Sequence, residues 1–221
     1  MNSRSFSKTY GPQTVLSLPE LEWIPGLIYA VIGANGSGKS TLAKVLSGTE
    51  QADHHGALFG SESIGYLPQK PCAFRMRLEQ NLYLNGSDHA RAERLMQALG
   101  LEALRRKQAH RLSGGETAKL ALARLLMRDY DLLILDEPTA AMDMESTLAA
   151  EKLIQAYRDQ TGCAVILITH SLRQAQRLSD RIIYLEKGKL IEAGDSKILL
   201  HSPKEPETRR FLQFFGFENM S

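Results

Sequence analysis

Cysteine is scarce in this 221-residue chain: Cys72 and Cys163 lie far apart and form no Cys-x-x-Cys pair. That spacing suggests neither a disulfide framework nor a cysteine-based zinc site, and two reduced thiols are expected. Long apolar runs are also missing. No stretch reaches the roughly 18 apolar residues of a spanning helix, and the N-terminal MNSRSFSKTYGPQ lacks the apolar centre of a secretory signal. A cytoplasmic, non-spanning protein is expected. An excess of one charge is lacking too: 27 Lys and Arg face 25 Asp and Glu, for a net charge of +2. A surface devoted to non-specific binding of a nucleic-acid backbone is therefore not indicated. Neither an internal repeat nor a low-complexity linker appears.

What is present is ordinary globular composition, with 43% hydrophobic and 24% charged residues. It suits one domain, or one domain with a small insertion. Leu27 to Ile32 reads as a buried strand, apolar on both faces, followed by a glycine-rich turn and a helix from Lys39 that Gly48 can stop. Similar buried runs recur at Leu132 to Leu135 and Val165 to Thr169, with helical stretches at about 116–129 and 145–160. Parallel strands joined by helices follow from this alternation. Short strands are predicted at Thr14 to Leu18, Leu21 to Trp23, Leu58-Phe59 and Ile64 to Leu67. A hairpin is predicted from Arg181 to Leu185 through Lys187-Gly188 to Leu190-Ile191. Between Pro71 and His110 the strand signal vanishes and Ala90 to Leu99 is helical in pattern, which reads as a helical insertion.

Gly33-Ala34-Asn35-Gly36-Ser37-Gly38-Lys39-Ser40 satisfies the GxxxxGK[ST] pattern between a predicted strand and a predicted helix. Glycines let the backbone wrap so that successive N–H groups point at phosphate oxygens, beside a helix N-terminus. Lys39 would reach the outer phosphates, and the Ser40 hydroxyl would ligate Mg²⁺. Further on, Leu132 to Leu135 runs into Asp136-Glu137-Pro138. Two carboxylates thus stand at the carboxyl edge of a buried strand, where open parallel sheets bind ligands. Asp136 suits a Mg²⁺ role and Glu137 could polarise an attacking water. Taken alone, Asp-Glu-Pro also reads as a polar stop to the strand.

Leu112-Ser113-Gly114-Gly115-Glu116, lying between these two motifs, makes the chain resemble the ATP-binding subunits of ABC transporters. In order, the family's elements fall on Tyr10, the phosphate loop 33–41 including Thr41, Gln69, the signature Ser113 to Glu116, Asp136-Glu137, Ala140 to Asp143 and His170. The resemblance covers nearly the whole chain. It implies an α/β P-loop NTPase fold with a mainly parallel core sheet, a small antiparallel β-subdomain and a helical subdomain, 71–115, inserted in a single domain spanning 1–221. By the same resemblance the Tyr10 ring stacks on adenine, Gln69 contacts Mg²⁺ and the water site, and His170 contacts the terminal phosphate. An ordinary surface Tyr, a solvated Gln after Pro68 and a structural His are the plainer alternatives. Ser113, Gly114, Gly115 and Glu116 would close the ATP site of a second copy, with Asp143 reaching across a homodimer that sandwiches two ATP molecules.

Three departures stand out: Thr117-Ala118-Lys119 follows the signature, Ala140-Ala141 stands where serine is common, and the segment between the phosphate loop and Gln69 is short. The last suggests a trimmed outer β-subdomain. The expectation is an ATPase using ATP and Mg²⁺ at the cytoplasmic face of the inner membrane. It would drive a separate permease, with an extracytoplasmic solute-binding protein, in import of tungstate or a related oxyanion. An amino-acid importer subunit and a soluble ABC ATPase acting on ribosome or DNA are the alternatives. A general P-loop kinase would need no such signature. The aromatic tail Phe211 to Phe217 is expected to pack on the core or on a second subunit, or to touch the membrane surface.

Overall fold

The computed structural model of the chain describes residues 1–53 and 58–217. Its first part carries β1 (Asn2–Ser3), β2 (Phe6–Tyr10), β3 (Gln13–Leu18), β4 (Leu21–Glu22), β5 (Ile28–Ile32), α1 (Lys39–Leu46) and β6 (Ile64–Leu67). A helical stretch follows: α2 (Leu78–Leu82), α3 (His89–Ala98) and α4 (Gly114–Leu125). Then come β7 (Leu132–Asp136), α5 (Met144–Thr161), β8 (Ala164–Ile168), α6 (Leu172–Leu178), β9 (Arg181–Glu186), β10 (Lys189–Asp195), α7 (Ser196–His201) and α8 (Pro206–Phe214).

Every residue of β5, β7 and β8 is buried, as strands apolar on both faces require. They lie side by side between β9 and β6, at the centre of the parallel part of an eight-stranded sheet in the order β2-β3-β10-β9-β5-β8-β7-β6. From β9 to β6 all neighbours are parallel, with Val31 opposite Ile168 and Asp136 also opposite Ile168 on the other side. The carboxyl ends of β5, β7 and β8 therefore lie side by side. At the other end, β9 turns through Lys187 and Gly188, both at positive φ, into antiparallel β10. Lys189 pairs in parallel with Ser17, which joins the antiparallel β2–β3 hairpin to the sheet.

The sheet curls around α1. Leu42, Val45 and Leu46 share one apolar cluster with Leu16 and Leu18 of β3 and with Ile134 and Ile166 of the parallel strands. A separate two-stranded antiparallel sheet pairs β1 with β4. The α/β fold with a mainly parallel sheet and a small antiparallel one is thus present as the sequence implies. On the opposite face, Leu78, Leu82, Leu95 and Met96 share a cluster with Leu133, Leu135 and Val165. The helical stretch is anchored on the main sheet, and α2, a five-residue helix, owes its stability to this burial rather than to propensity.

Several local expectations are corrected. Leu58 and Phe59 are buried in the cluster around α1 but form a bend, and the Leu58 carbonyl accepts only a long bond from the Arg4 N–H, at 3.4 Å, rather than joining a ladder. Helix α4 starts at Gly114 rather than 116, since Ser113 caps it, and ends at Leu125 rather than 129. The aromatic tail divides. Phe211 packs on Tyr184 with ring centroids 4.8 Å apart and Leu212 is buried, whereas Phe214 is 84% exposed.

Candidate nucleotide site

The loop from Ile32 to Lys39 is held by backbone that only glycine permits. A Cβ on Gly33 would stand 2.3 Å from the Leu185 carbonyl oxygen of β9, so the loop leaves β5 pressed against the neighbouring strand. Gly38 caps α1 at φ 101°, and a Cβ there would lie 2.9 Å from Leu16 Cδ1. The Gly188 N–H donates to the Ser37 carbonyl at 3.0 Å and so ties the β9–β10 turn to the loop. No side chain caps α1 and no acid occupies its first turn, which leaves a positive helix end facing the loop.

Lys39 is only 5% exposed, and its Nζ donates to the carbonyl oxygens of Gly33 at 2.8 Å and Ala34 at 2.9 Å. Burial pushes its ammonium below the usual lysine range, and the carboxylates of Glu137 and Asp136 oppose that shift. The cation is thus already curled over the loop. Asp136 ends β7 with 2% exposure, and its Oδ1 is buried without a hydrogen-bond partner. Burial raises its carboxyl above the ordinary range, against a hydrogen bond from Ser40. A buried, unpaired carboxylate oxygen is costly unless something cationic meets it. The donor set fits Mg²⁺, which binds through one or two carboxylates plus substrate phosphates rather than in an all-protein cage. Among the described residues no cluster of three or more His, Cys, Asp or Glu could hold a metal by itself.

Glu137 follows at φ 52°, a left-handed conformation that costs a non-glycine residue roughly 1–3 kcal/mol. Its own N–H donates to the Ile168 carbonyl at 2.9 Å, which pins the turn to the end of β8. The result aims its carboxylate at His170, with Oε1 2.5 Å from Nε2. Gln69, exposed in the bend after β6, lines a cavity of about 290 Å³ together with Glu137, Leu112, Gly114, Thr117 and Ala141. Tyr10, at the end of β2, is 45% exposed and donates its hydroxyl to Glu50, which with burial raises its pKa. Lys8 Nζ sits 5.3 Å from the ring centroid and the Thr41 hydroxyl also reaches the phenol, so the ring is fixed beside α1.

The signature behaves differently within one chain. Ser113 Oγ accepts from the Glu116 N–H at 3.2 Å, and Glu116 Oε2 accepts from the Ser113 N–H at 2.8 Å and from Lys107 at 3.1 Å. This capping box, through the Ser113 N–H above all, holds the Glu116 carboxyl below its usual range. A Cβ on Gly115 would stand 2.8 Å from the Ala141 carbonyl oxygen. Asp143 caps α5, accepting from the Ser146 N–H at 2.8 Å. The structure therefore brings Tyr10, residues 33–41, Asp136, Glu137 and His170 together, with Gln69 joined to Glu137 by a shared cavity. Ser113 to Glu116 and Asp143 make their hydrogen bonds within their own helix ends and to Lys107.

Sequence reasoning missed a buried polar group behind this site, formed by Thr139, Glu151, Thr169 and Gln174 and closed from the surface by Arg177. One signal was available. Ala150, Glu151, Ile154 and Tyr157 fall on one buried face of α5, and a carboxylate on an apolar helical face needs a partner.

A glycine-rich loop at a helix N-terminus, with a buried aspartate, a glutamate and a histidine at neighbouring strand ends, defines a P-loop nucleotide-binding fold. Residues 19–140 match the family model described as ABC transporter. The chain is 37% identical over 204 residues to the tungstate uptake system ATP-binding protein TupC of Peptoclostridium acidaminophilum, covering 86% of this chain and 95% of that protein. It is 36% identical to a zinc import ATP-binding protein, ZnuC, of Alcanivorax borkumensis, over 83% of this chain and 74% of that protein. It is 32% identical to the aliphatic sulfonates import ATP-binding protein SsuB 2 of Paracoccus denitrificans, over 96% and 87%. A solved ATP-binding subunit of an ABC transporter superposes with a TM-score of 0.82 at 24% identity, over 96% of this chain and 98% of that one, and supports the fold. The chain belongs to the ABC transporter family, as an ATP-binding subunit. It is an ATPase.

Proposed function

We propose that this chain hydrolyses ATP to ADP and phosphate to energise import of a small oxyanion, tungstate or a close relative, through a separate permease. The observation that carries the catalytic part is the convergence of Lys39, Ser40, Asp136, Glu137 and His170 at adjoining strand ends. The substrate part rests on likeness to the tungstate uptake protein over 95% of its length.

In this reading the Tyr10 ring stacks on adenine. Gly33, Ala34, Asn35, Gly36, Ser37, Gly38 and Thr41 wrap the phosphates with backbone N–H groups, and Lys39 exchanges its loop carbonyls for the outer phosphates. Ser40, Asp136 and Gln69 would hold Mg²⁺, which when bound neutralises charge on the phosphates. Glu137, held in a left-handed turn, orients and polarises the attacking water. His170 keeps the Glu137 carboxylate in place and reaches the terminal phosphate. Ser113, Gly114, Gly115 and Glu116 of a second copy close the site, and Asp143 lies at that interface. Their capping box keeps the α4 N-terminus rigid, with Lys107 paired to the Glu116 carboxylate in its first turn.

The proposed organisation is one domain over 1–221, with 71–115 as an inserted helical subdomain that docks the permease. The subunit would sit peripherally on the cytoplasmic face, as likeness to import ATP-binding proteins suggests; no helix of the described residues is long and apolar enough to cross a membrane. A solute-binding protein would deliver the oxyanion from outside. The test is co-purification of the tagged chain from detergent-solubilised membranes, with tungstate uptake measured in cells lacking it. A co-purifying polytopic protein and lost uptake are expected. Ribosomal proteins or DNA in its place, with uptake intact, would overturn the transport reading.

A further inference from the structure

Behind the Glu137–His170 pair lies a buried chain of hydrogen bonds centred on one amide. Gln174 Oε1 accepts from the Thr169 hydroxyl at 2.7 Å, while its Nε2 donates to Thr139 Oγ1 at 2.9 Å and to Glu151 Oε1 at 3.1 Å. Glu151 is paired in turn with Arg177, whose Nε and Nη2 lie 2.9 and 2.6 Å from the carboxylate oxygens. Thr139, Glu151, Thr169 and Gln174 are all buried.

The partners sit at telling places. Thr139 is in the turn that follows Glu137 and Pro138. Thr169 immediately precedes His170, and Ser171 immediately follows it. The Ser171 N–H donates to Thr169 Oγ1 at 3.0 Å, and its hydroxyl accepts from the Gln174 N–H at 3.2 Å. His170 is therefore bracketed on both sides by groups that Gln174 holds, and Glu137 is held from the turn beyond it. Glu137, Thr139, His170 and Gln174 line one cavity of about 370 Å³, so the amide forms part of the wall against which the pair stands.

We propose that Gln174 is a positioning residue for ATP hydrolysis: it locks the turn after Glu137 to the strand end carrying His170 and so sets the spacing of the two. An amide suits the site because it offers the Thr169 hydroxyl an acceptor and the Glu151 carboxylate a donor on one side chain, with its second N–H left for Thr139. A carboxylate would offer no donor and would face Glu151. A hydrocarbon would remove a side-chain partner from Thr139 and Thr169 in the interior and leave Glu151 with Arg177 alone. The inference rests on the catalytic reading of Glu137 and His170.

The test uses the purified full chain with Mg-ATP and measures kcat, the ATP Kd and the thermal midpoint. The variants are Gln174→Leu, Thr139→Val and the pair combined, and Thr139→Val keeps volume and fold should Gln174→Leu fail to fold. Gln174→Leu should lower kcat on the order of 10-fold, as expected when reacting groups are displaced, and Thr139→Val should lower it less. The ATP Kd should stay within about twofold, since residues 33–41 are untouched, and the double variant should be no slower than the worse single one. Unchanged kcat in the variants, effects that multiply, or a risen Kd together with a fall in both kcat and the midpoint would each overturn the proposal. An unmodified chain that binds ATP without hydrolysing it would overturn the catalytic reading beneath it, and is distinguished by the wild-type kcat alone.

Discussion

Lys39→Ala separates binding from folding at one atom. Nζ is buried and donates to Gly33 O at 2.8 Å and Ala34 O at 2.9 Å, so truncation removes two contacts from the loop itself. Those contacts are offset by the desolvation of the ammonium, visible as a lowered pKa. The two carbonyls then turn to water. The net change in stability should be small, a shift in midpoint of no more than about 2–4 °C for a chain of this size. The bound state loses far more. Hydrogen bonds to charged groups contribute roughly 1.5–3 kcal/mol each, and the ammonium would meet phosphate oxygens as a full charge. A loss near 3 kcal/mol corresponds to about a 100-fold rise in Kd. Calorimetric titration with ATP alongside thermal melts checks both numbers. An ATP Kd within threefold of wild type would refute the placement of the phosphates at Lys39.

Two other perturbations follow from the same geometry. Asp136→Asn removes a buried carboxylate whose Oδ1 has no partner, so the nucleotide-free chain should gain about 2–4 °C in midpoint while Mg-dependent hydrolysis is lost. The sign agrees with its titration: burial raises the Asp136 pKa in the fold, so this group's contribution to stability falls as pH rises from the ordinary carboxylate value through the raised one, and the asparagine variant should lose that dependence. Gly115→Ala forces a Cβ to 2.8 Å from the Ala141 carbonyl oxygen, and should cost about 1–3 kcal/mol in denaturant unfolding. An undiminished unfolding midpoint would show that the signature helix is not seated on the turn after Glu137.

The buried strands and the phosphate loop were legible because their signals are local: runs apolar on both faces, and glycines in a fixed pattern before Lys39. Leu58-Phe59 misled for the same reason, since two apolar residues look like a strand whether they pair or simply fill a cluster. Helix α4 starts two residues before the position its apolar pattern suggests because Ser113, which the signature marks as facing a ligand, also caps the helix. Helices α6 and α7, seven and six residues long, are too short to display a helical period, and with α8 they depend on the apolar cluster they form with β5 and β9. The Gln174 network was invisible because its members, Thr139, Glu151, Thr169 and Gln174, meet only after three chain segments fold together. Close approaches such as Gly33 to Leu185 explain why a glycine is required there, which the motif states but does not explain.

The most direct test of the central claim, that each ATP site is completed by the signature of a second copy, is the solution mass of the Glu137→Gln variant with saturating Mg-ATP. The carboxamide keeps the side chain's shape and its place beside His170 while removing the carboxylate proposed to polarise the water, so ATP should persist. The account predicts the mass of two 24.6-kDa chains with ATP and of one chain without it. A variant that binds ATP tightly and stays at the mass of a single chain would contradict it.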